Sequence, residues 1–256
     1  MAAFSGAWAA KGEVLEDLQY RVDILGIPDL VRAGVVLTSL GPGRYLAKAS
    51  GEAKGILAPI SGHRRDSYTA EMVFRDGRLL PLVYREESQR KDKQRLKEYR
   101  FNYAEGTVEL WLPKRGQMVR RWAKEMKGPV YDPVSAFYNC RLGLLGPLAP
   151  GQTLKVTGIP YPKPEEYQVR LGSQGKEGGQ AMVSVPNDAF EKNEGVVFVD
   201  FDAAWVPLKA WTRFLGAGKV VAQLLPASKA LKGGLPEMAG ADKGEAQTAA
   251  MARRQP

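Results

Sequence analysis

The sequence predicts a mainly β protein: a curved antiparallel β-sheet or barrel-like single domain with one or two short capping helices. Two observations predict this fold class. Many short segments alternate apolar and polar residues with a period of two, as strands with one buried face do. Turn-forming residues separate these segments, and the connections are short enough for antiparallel pairing of neighbouring strands.

The first three predicted strands follow one another closely. The segment Leu15–Leu25 alternates apolar and polar side chains until Gly26–Pro28 interrupts the pattern. The alternation resumes over Val31–Leu37, and Gly41–Gly43 then forms a turn signal before a third strand at Tyr45–Ala49. This part of the chain therefore predicts a meander of antiparallel strands.

The middle of the chain predicts a strand followed by a β-hairpin. Apolar residues alternate over Tyr68–Phe74 and end at the Asp76–Gly77 turn. The segments Tyr99–Tyr103 and Val108–Leu112 alternate in the same way on either side of Glu105–Gly106, which predicts a hairpin.

The remaining predicted strands lie beyond residue 165. Tyr167–Leu171 and Ala181–Val185 alternate, whereas Val196–Phe201 is apolar on both faces and is typical of a central strand. Lys219–Leu225 closes the domain. We expect about ten to twelve strands in all.

Two helices are predicted between the strands. The segment Gly55–Ile60 is short and weak. The segment Asp132–Leu142 is stronger, with Asp132 as N-cap, Pro133 at the first helical position and Gly143 just past the end. Its apolar face consists of Val134, Phe137, Tyr138 and the stem of Arg141, so we expect it to plug or cover one end of the sheet.

The predicted domain covers residues 12–225. A division near Pro150–Gly151 is possible, but a single curved sheet or barrel is equally consistent with the pattern. Residues 226–256 are rich in Ala, Gly and Lys, with few large aliphatic residues, and predict a disordered tail.

Residues 1–11 contain Ala7-Trp8-Ala9, which has the small-x-small form of a signal-peptidase site. Six residues before that site are too few for a complete signal peptide. They are either the remnant of a longer one or a chance alanine cluster.

Few side chains are available for catalysis or metal binding. The chain has one histidine, His63, and one cysteine, Cys140, and no Gly-x-Ser-x-Gly motif, phosphate-binding loop or carboxylate loop for calcium. We therefore expect no catalytic residues, no cofactor and no metal. The alternative is a carboxylate enzyme that uses the neighbouring pair Asp200 and Asp202.

A basic region lies between Arg85 and Lys127, where thirteen Lys or Arg residues stand against seven Asp or Glu. It could attract nucleic acid, anionic lipid, an envelope protein or an acidic polymer such as a polysaccharide, or it could be a solvated sheet face. Within it, Arg95–Tyr103 interleaves cations and aromatics, but alternation places them on opposite faces. We therefore expect no nucleic acid partner.

The aromatic residues indicate a ligand cavity. Tryptophans lie at or near predicted strand ends, and a curved sheet with aromatics on its concave side can enclose an apolar pocket. A well-filled core is the alternative. The candidate ligand-binding residues are Trp111, Trp122, Tyr138, Arg141 and Trp211.

Several segments together resemble a bacterial family catalogued as domain of unknown function 3108 (DUF3108). They are Leu18–Pro28, Tyr131–Arg141, Gly151–Val156 and Val197–Pro207, of which the Asp-Pro-x-Ser-Ala-x-Tyr start of the helix is the most specific. The resemblance covers roughly residues 15 to 225. It implies an exported, mainly antiparallel β protein of the Gram-negative cell envelope, and it brings no catalytic residues.

The sequence thus predicts a non-enzymatic periplasmic protein that binds a lipid, an acyl chain or another apolar ligand in a β-sheet cavity. The alternative is an envelope scaffold that binds protein or anionic polysaccharide through its basic surface. No run approaches the roughly 18 apolar residues of a membrane-spanning helix, so we expect no transmembrane segment.

Overall fold

The computed structural model describes residues 12–91, 93–159, 165–184, 195–214, 218–232 and 234–238. Fourteen strands and two helices lie within these ranges. The first eight strands are β1 Glu13–Ile24, β2 Ile27–Gly41, β3 Arg44–Ala53, β4 Arg65–Arg75, β5 Arg78–Arg90, β6 Lys93–Asn102, β7 Thr107–Lys114 and β8 Gln117–Glu125. The later strands are β9 Thr153–Gly158, β10 Glu165–Gly175, β11 Gly178–Ser184, β12 Val196–Asp202, β13 Pro207–Phe214 and β14 Gly218–Leu224. The helices are α1 Leu57–Ser61 and α2 Pro133–Arg141.

All fourteen strands form one antiparallel sheet with nearly sequential order. Strands β1 to β8 pair with their neighbours along the chain, as do β9 to β14, and β1 pairs with β14 to join the two runs. The edges of the sheet are therefore β8 and β9. The segment before α2 adds a parallel bridge to the β9 edge, where Tyr131 N donates to Thr157 O at 2.8 Å and Ile159 N donates to Tyr131 O at 2.9 Å. The prediction of a mainly β, curved antiparallel sheet is confirmed, with more strands than the ten to twelve expected.

Helix α2 lies on the concave side of this sheet. It contacts β3, β4 and β5 from one run of strands and β9 from the other. The side-chain oxygen Asn139 Oδ1 accepts a hydrogen bond from Leu79 N at 3.0 Å, and Asn139 Nδ2 donates to Leu79 O at 2.7 Å, which fixes the helix to β5. Because the buried side-chain amide bonds both the N–H and the C=O of one β5 residue, it orients the helix as well as stabilising it.

The predicted start of α2 is confirmed in detail. Asp132 is the N-cap, Pro133 follows it, and the side chains of Asp132 and Ser135 form a capping box. Gly143 has a φ of 69°, the left-handed conformation that commonly ends a helix. The short, weakly predicted first helix is also present as α1, which buries none of its residues.

The main core fills the space between α2 and the inner faces of β2 to β8. Large side chains from alternate positions meet there, as the period of two requires. Tyr45, Tyr84, Tyr99 and Tyr138 are among the largest fully buried residues.

The segment after β14 differs from the predicted tail, because its described part packs against the sheet. Leu235 is buried in the main core, and Glu237 accepts hydrogen bonds from Gly43 N at 2.6 Å and from the Tyr45 hydroxyl. Lys229 N donates to Asp17 O at 2.7 Å. Leu235, with Leu231 and Met238 packed against the same core, and the carboxylate of Glu237 therefore hold in place a segment whose average composition is polar. Residues 239–256 and the predicted signal-peptide remnant 1–11 lie outside the described residues.

The loops lie at two ends of the sheet. Because the pairing is antiparallel, the β1–β2 turn, the β3–β4 connection with α1, the β5–β6 turn and the β7–β8 turn all lie at one end. We call this end the α1 end. The β2–β3, β4–β5 and β12–β13 turns lie at the opposite end.

Candidate functional site

A cavity of about 460 Å³ lies between α2 and the sheet, next to the main core. Its volume falls within the roughly 300–1,000 Å³ of small-molecule pockets. The helix contributes Ala136, Phe137, Cys140 and Arg141, and the other wall is formed by β1, β2 and β9 to β14. The wall residues include Tyr20, Ala33, Val35, Leu154, Val156, Tyr167, Val169, Leu171, Ala181, Val183, Val199, Phe201, Ala210 and Ala222.

The cavity exists because small side chains occupy the inner positions of these strands. Ala33, Ala181, Ala210 and Ala222 face it from four different strands, whereas the inner positions of β3 to β6 include the larger side chains of Tyr45, Met72, Tyr84 and Tyr99. The methyl group of an alanine is too short to fill the space between the sheet and α2. The lining is predominantly aliphatic and aromatic, as apolar ligands require.

One buried ion pair joins the cavity wall to the end of α2. Arg141 Nη1 lies 2.5 Å from Glu16 Oε2, and both side chains are almost fully buried. Glu16 Oε1 also accepts from Leu231 N at 2.8 Å, and Arg141 Nε donates to the carbonyl oxygen of Trp205 at 3.1 Å. The two charges neutralise each other, so this end of the cavity offers polar atoms without a net charge.

Two further polar groups of the wall are held in their neutral forms. The Tyr20 hydroxyl donates to Pro207 O at 3.1 Å, and burial raises the pKa of Tyr20 well above its usual value. Burial likewise raises the pKa of the Cys140 thiol to about 12. A thiol with that pKa is not a nucleophile near neutral pH, because the thiolate is the reactive form.

The N-cap Asp132 contributes a polar group beside the start of α2. Its Oδ1 accepts from Val134 N at 2.8 Å and from Ser135 N at 3.0 Å, while Oδ2 is buried without a hydrogen-bond partner among the described residues. Complete burial raises the pKa of Asp132 to about 6, against the opposing effect of these hydrogen bonds. The carboxyl group therefore changes protonation state near pH 6.

The structure does not bring the five predicted ligand-binding residues together. Arg141 lines the cavity. Tyr138 lies on the same helix but is buried in the main core. Trp122 also packs against that core, edge-on to Tyr99 with ring centroids 6.1 Å apart.

The other two predicted residues lie on the outer face of the sheet. Trp111 donates from Nε1 to Glu109 Oε2 at 2.9 Å, and the Arg100 guanidinium stands 4.1 Å from the centroid of its ring. Trp211 stacks on Phe198 with ring centroids 5.5 Å apart. Neither lines the cavity.

Trp205 and Phe201 are two of the aromatic residues of the wall that the predicted set leaves out. Their ring centroids are 5.4 Å apart, and both pack against the cluster formed by Leu154, Val169 and Leu171. A signal for Phe201 was available, since alternation along β12 places it on the same face as Val199. Trp205 has a φ of 59° in the β12–β13 turn, so no strand periodicity could place it.

The residues considered for catalysis either lie away from the cavity or make hydrogen bonds that hold a turn together. His63 is exposed at the α1 end. Asp200 Oδ1 accepts from Gln180 Nε2 at 2.9 Å on the outer face. Asp202 Oδ1 accepts from Ala204 N and Val206 N, which closes the β12–β13 turn.

Within the described ranges, no group of three or more His, Cys, Asp or Glu side chains could hold a metal ion. Among the same residues, no helix is long and apolar enough to cross a membrane.

Ion pairs neutralise part of the basic region. Glu98 pairs with both Arg85 at 2.6 Å and Arg100 at 2.7 Å, and these partners lower the pKa of Glu98 against the opposing effect of burial. Arg120 lies 2.6 Å from Glu109, and Lys97 lies 2.8 Å from Glu86. The region is therefore less positive than its composition suggests.

A second concavity, of about 570 Å³, lies across β1 to β6 and is lined mainly by polar and charged residues. Its Arg65 pairs with Glu52 at 2.8 Å. Apolar walls are what distinguish a small-molecule pocket from a solvated groove, and the smaller cavity beside α2 has them.

Comparison with known proteins identifies the family but no activity. The profile of a family described as "Protein of unknown function (DUF3108)" matches residues 19–213. No curated protein matches the chain. A crystal structure of a β-barrel-like protein of the domain of unknown function DUF1849 from Brucella abortus is similar, with a TM-score of 0.47 and 10% sequence identity, over 83% of this chain and 96% of that chain.

Proposed function

Because the chain belongs to the DUF3108 family, whose description assigns no activity, we propose a function from the geometry of the cavity: the protein binds a lipid, an acyl chain or another apolar ligand without chemical conversion. The observation that carries this proposal is the cavity of about 460 Å³, with aliphatic and aromatic walls on both α2 and the sheet. Transfer of apolar surface from water into such a space is favourable by roughly 25 cal/mol per Å² buried.

The polar groups of the wall favour a ligand with an uncharged or weakly polar group at one end. The Arg141–Glu16 pair is already neutral, and Tyr20 is held as a hydroxyl. A strongly charged head group inside the cavity would have to displace one member of the pair, which would leave a buried charge without a partner. The apolar portion of the ligand is therefore expected inside, with any charged group outside.

A non-enzymatic role is supported by the chemistry of the candidate groups. In the cavity wall, Cys140 is held as a thiol and Asp132 serves as the cap of α2. Outside the wall, Asp202 closes the β12–β13 turn. We extend the proposal to the location that the family resemblance implies, the periplasm of a Gram-negative cell. Immunoblots of periplasmic and cytosolic fractions test this location directly.

The binding proposal is tested by native mass spectrometry of protein purified without detergent, together with titration of a fluorescent fatty acid. We expect a co-purifying apolar molecule or saturable fatty-acid binding. In the variant Ala222→Phe the added ring occupies the cavity, so binding should fall at least tenfold. The matched control Ala123→Phe adds the same ring to the exposed outer face of β8 and should bind as the wild type does.

Equal binding by the wild type and Ala222→Phe, with both proteins folded, would exclude the cavity as the site. Absence of any ligand or fatty-acid binding would instead favour the scaffold with a basic surface. Arg121 on β8 is exposed and would then be the first position for charge reversal.

A further inference from the structure

Exposed aliphatic side chains are concentrated at the α1 end. The three most exposed large apolar residues in the described part of the chain are Ile60 at 73%, Leu25 at 65% and Ile56 at 60%. Ile27, which lies two residues after Leu25, is 43% exposed. Single exposed aliphatic residues need no explanation, but a group of four at one end of a sheet indicates an interaction site.

Leu25 occupies a backbone position that suits a different residue. Leu25 and Gly26 have φ values of 53° and 80°, and Ile24 pairs with Ile27, so the β1–β2 connection is a two-residue type I′ turn. Asn, Asp or Gly is favoured at the first central position of this turn, and a branched aliphatic residue there is strained. The Asp76–Gly77 turn at the opposite end follows the usual preference. The Leu25 side chain lies against Gly218 but remains largely exposed, so it buries little apolar surface in the isolated fold.

The second pair of aliphatic residues lies on α1 and beside it. Ile56 is the N-cap residue, Ile60 lies within the helix, and α1 buries none of its side chains. The chain leaves β3 level with Leu30 of β2, where Lys54 N donates to Leu30 O at 2.8 Å, and α1 follows at this end of the sheet. The β1–β2 turn extends beyond Leu30 in the same direction, by roughly 3.3 Å for each residue.

Basic residues lie in the same connections as these aliphatic side chains. Lys91 N donates to Gly62 O at 2.9 Å, which brings the β5–β6 turn against the end of α1. Four of the connections at this end, residues 25–26, 54–64, 91–92 and 115–116, contain four Lys or Arg and one acidic residue, Asp92. Two of the four, Lys54 and Arg64, also pair with carboxylates at the adjoining strand ends.

We propose that the α1 end docks onto an anionic lipid surface. Leu25, Ile27, Ile56 and Ile60 insert into the interface, and basic residues such as Lys91 face the lipid phosphates. Protruding aliphatic side chains combined with adjacent cations are the chemistry of interfacial binding. A bilayer fits better than a protein partner, because the aliphatic side chains stand on two separate projections and a fluid surface needs no matching shape.

Docking in this orientation would bring the proposed cavity close to the lipid. Val183 and Tyr167 of the cavity wall lie near the ends of β11 and β10 that face the α1 end. The docking proposal does not depend on cavity binding, because the two are measured separately.

Vesicle flotation tests the proposal. Full-length protein is mixed with vesicles of phosphatidylcholine alone or of phosphatidylcholine with phosphatidylglycerol. We expect preferential binding to the anionic vesicles that weakens with added salt, because the screening length falls from roughly 10 Å at 0.1 M to 3 Å at 1 M. The variant Leu25→Asn restores the favoured turn residue, so the fold is retained, and it should bind about tenfold more weakly. Ile60→Ser should act in the same direction.

The matched control is Met182→Gln, which removes a side chain of 39% exposure from the outer face of the sheet and should leave flotation unchanged. The proposal is overturned if the wild type binds neither vesicle or if Leu25→Asn and Ile60→Ser both bind like the wild type. Concentration-dependent dimerisation of the wild type that Leu25→Asn abolishes would also overturn it, and would assign the surface to a second copy. Fatty-acid binding in solution should be equal in all these variants.

Discussion

Arg141 and Glu16 connect the last turn of α2 to the start of β1 through a 2.5 Å ion pair that is almost completely buried. Glu16 lies where the β1–β2 register shifts, between Val14 and Glu16, so the carboxylate turns inward at an irregularity of the strand. The pair is supported by main-chain hydrogen bonds to both partners. It therefore links the plug helix, the strand that joins the two halves of the sheet, and the cavity wall.

Removing one member of this pair should destabilise the protein strongly. Arg141→Met leaves the buried Glu16 carboxylate without its partner, and we expect a loss of about 3–5 kcal/mol in the free energy of unfolding. The double variant Glu16→Leu with Arg141→Met should lose less than the single variant, because no buried charge remains. Urea denaturation measures both. The control Arg120→Met breaks a half-exposed pair with Glu109 and should cost under about 1 kcal/mol.

The N-cap of α2 predicts a specific dependence of stability on pH. The pKa of Asp132 is about 6 in the folded protein and 3.8 as its ordinary value, so the folded state binds the proton more tightly. The stability from this group is fully present below pH 3.8 and is lost as the pH rises through 6. The loss is on the order of 3 kcal/mol.

The variant Asp132→Asn isolates this contribution. Asn retains the acceptor oxygen for the cap but cannot ionise. The stability of the variant relative to the wild type should therefore rise between pH 4 and pH 8, measured by urea denaturation across that range. Asp76→Asn changes an exposed turn aspartate and should show no such trend. A flat difference curve for Asp132→Asn would mean that the carboxyl ionises with its ordinary pKa.

The parts of the fold that depend on local sequence could be predicted. The cap of α2 requires only Asp132, Pro133 and the spacing to Ser135, and the strands follow from alternation over a few residues. The pairing of β1 with β14 could not be predicted in this way, because its partners Tyr20 and Leu224 are far apart in the chain. The packing of the segment after β14 could not be predicted from composition either, since one buried leucine changes the average hydrophobicity of a polar segment very little.

The cavity could be predicted as a possibility but not placed. Its position depends on which of the side chains that face α2 are small. Those side chains come from many strands, so the position is a property of the whole sheet. For Trp111 the sequence did contain a correcting signal. Val108, Leu110 and Leu112 alternate inward, so Trp111 has to face outward. The prediction included Trp111 because it considered the aromatic residues without asking which face of the strand each one occupies.

The packed segment after β14 can be tested at its buried residue. Leu235 is 1% exposed and contacts the main core, so Leu235→Ala should cost about 2–5 kcal/mol through lost burial and the resulting cavity. Thermal and urea denaturation measure the change. Leu208→Ala removes the same atoms from a residue that is 42% exposed and should stay within about 0.5 kcal/mol of the wild type. Equal, small effects in both variants would show that the segment after β14 is detached in solution.

Leu25–Gly26 and Asp76–Gly77 are both type I′ turns. Substitutions at the first position of each turn therefore measure how much a leucine there destabilises the fold. Leu25→Asn places a favoured residue in the left-handed position and should stabilise the fold by about 1 kcal/mol. Asp76→Leu places leucine in the same conformation at the other end and should destabilise the fold by a similar amount. Thermal denaturation of both variants gives the comparison. If the Leu25→Asn variant is more stable than the wild type but binds vesicles more weakly, Leu25 destabilises the fold and serves membrane binding.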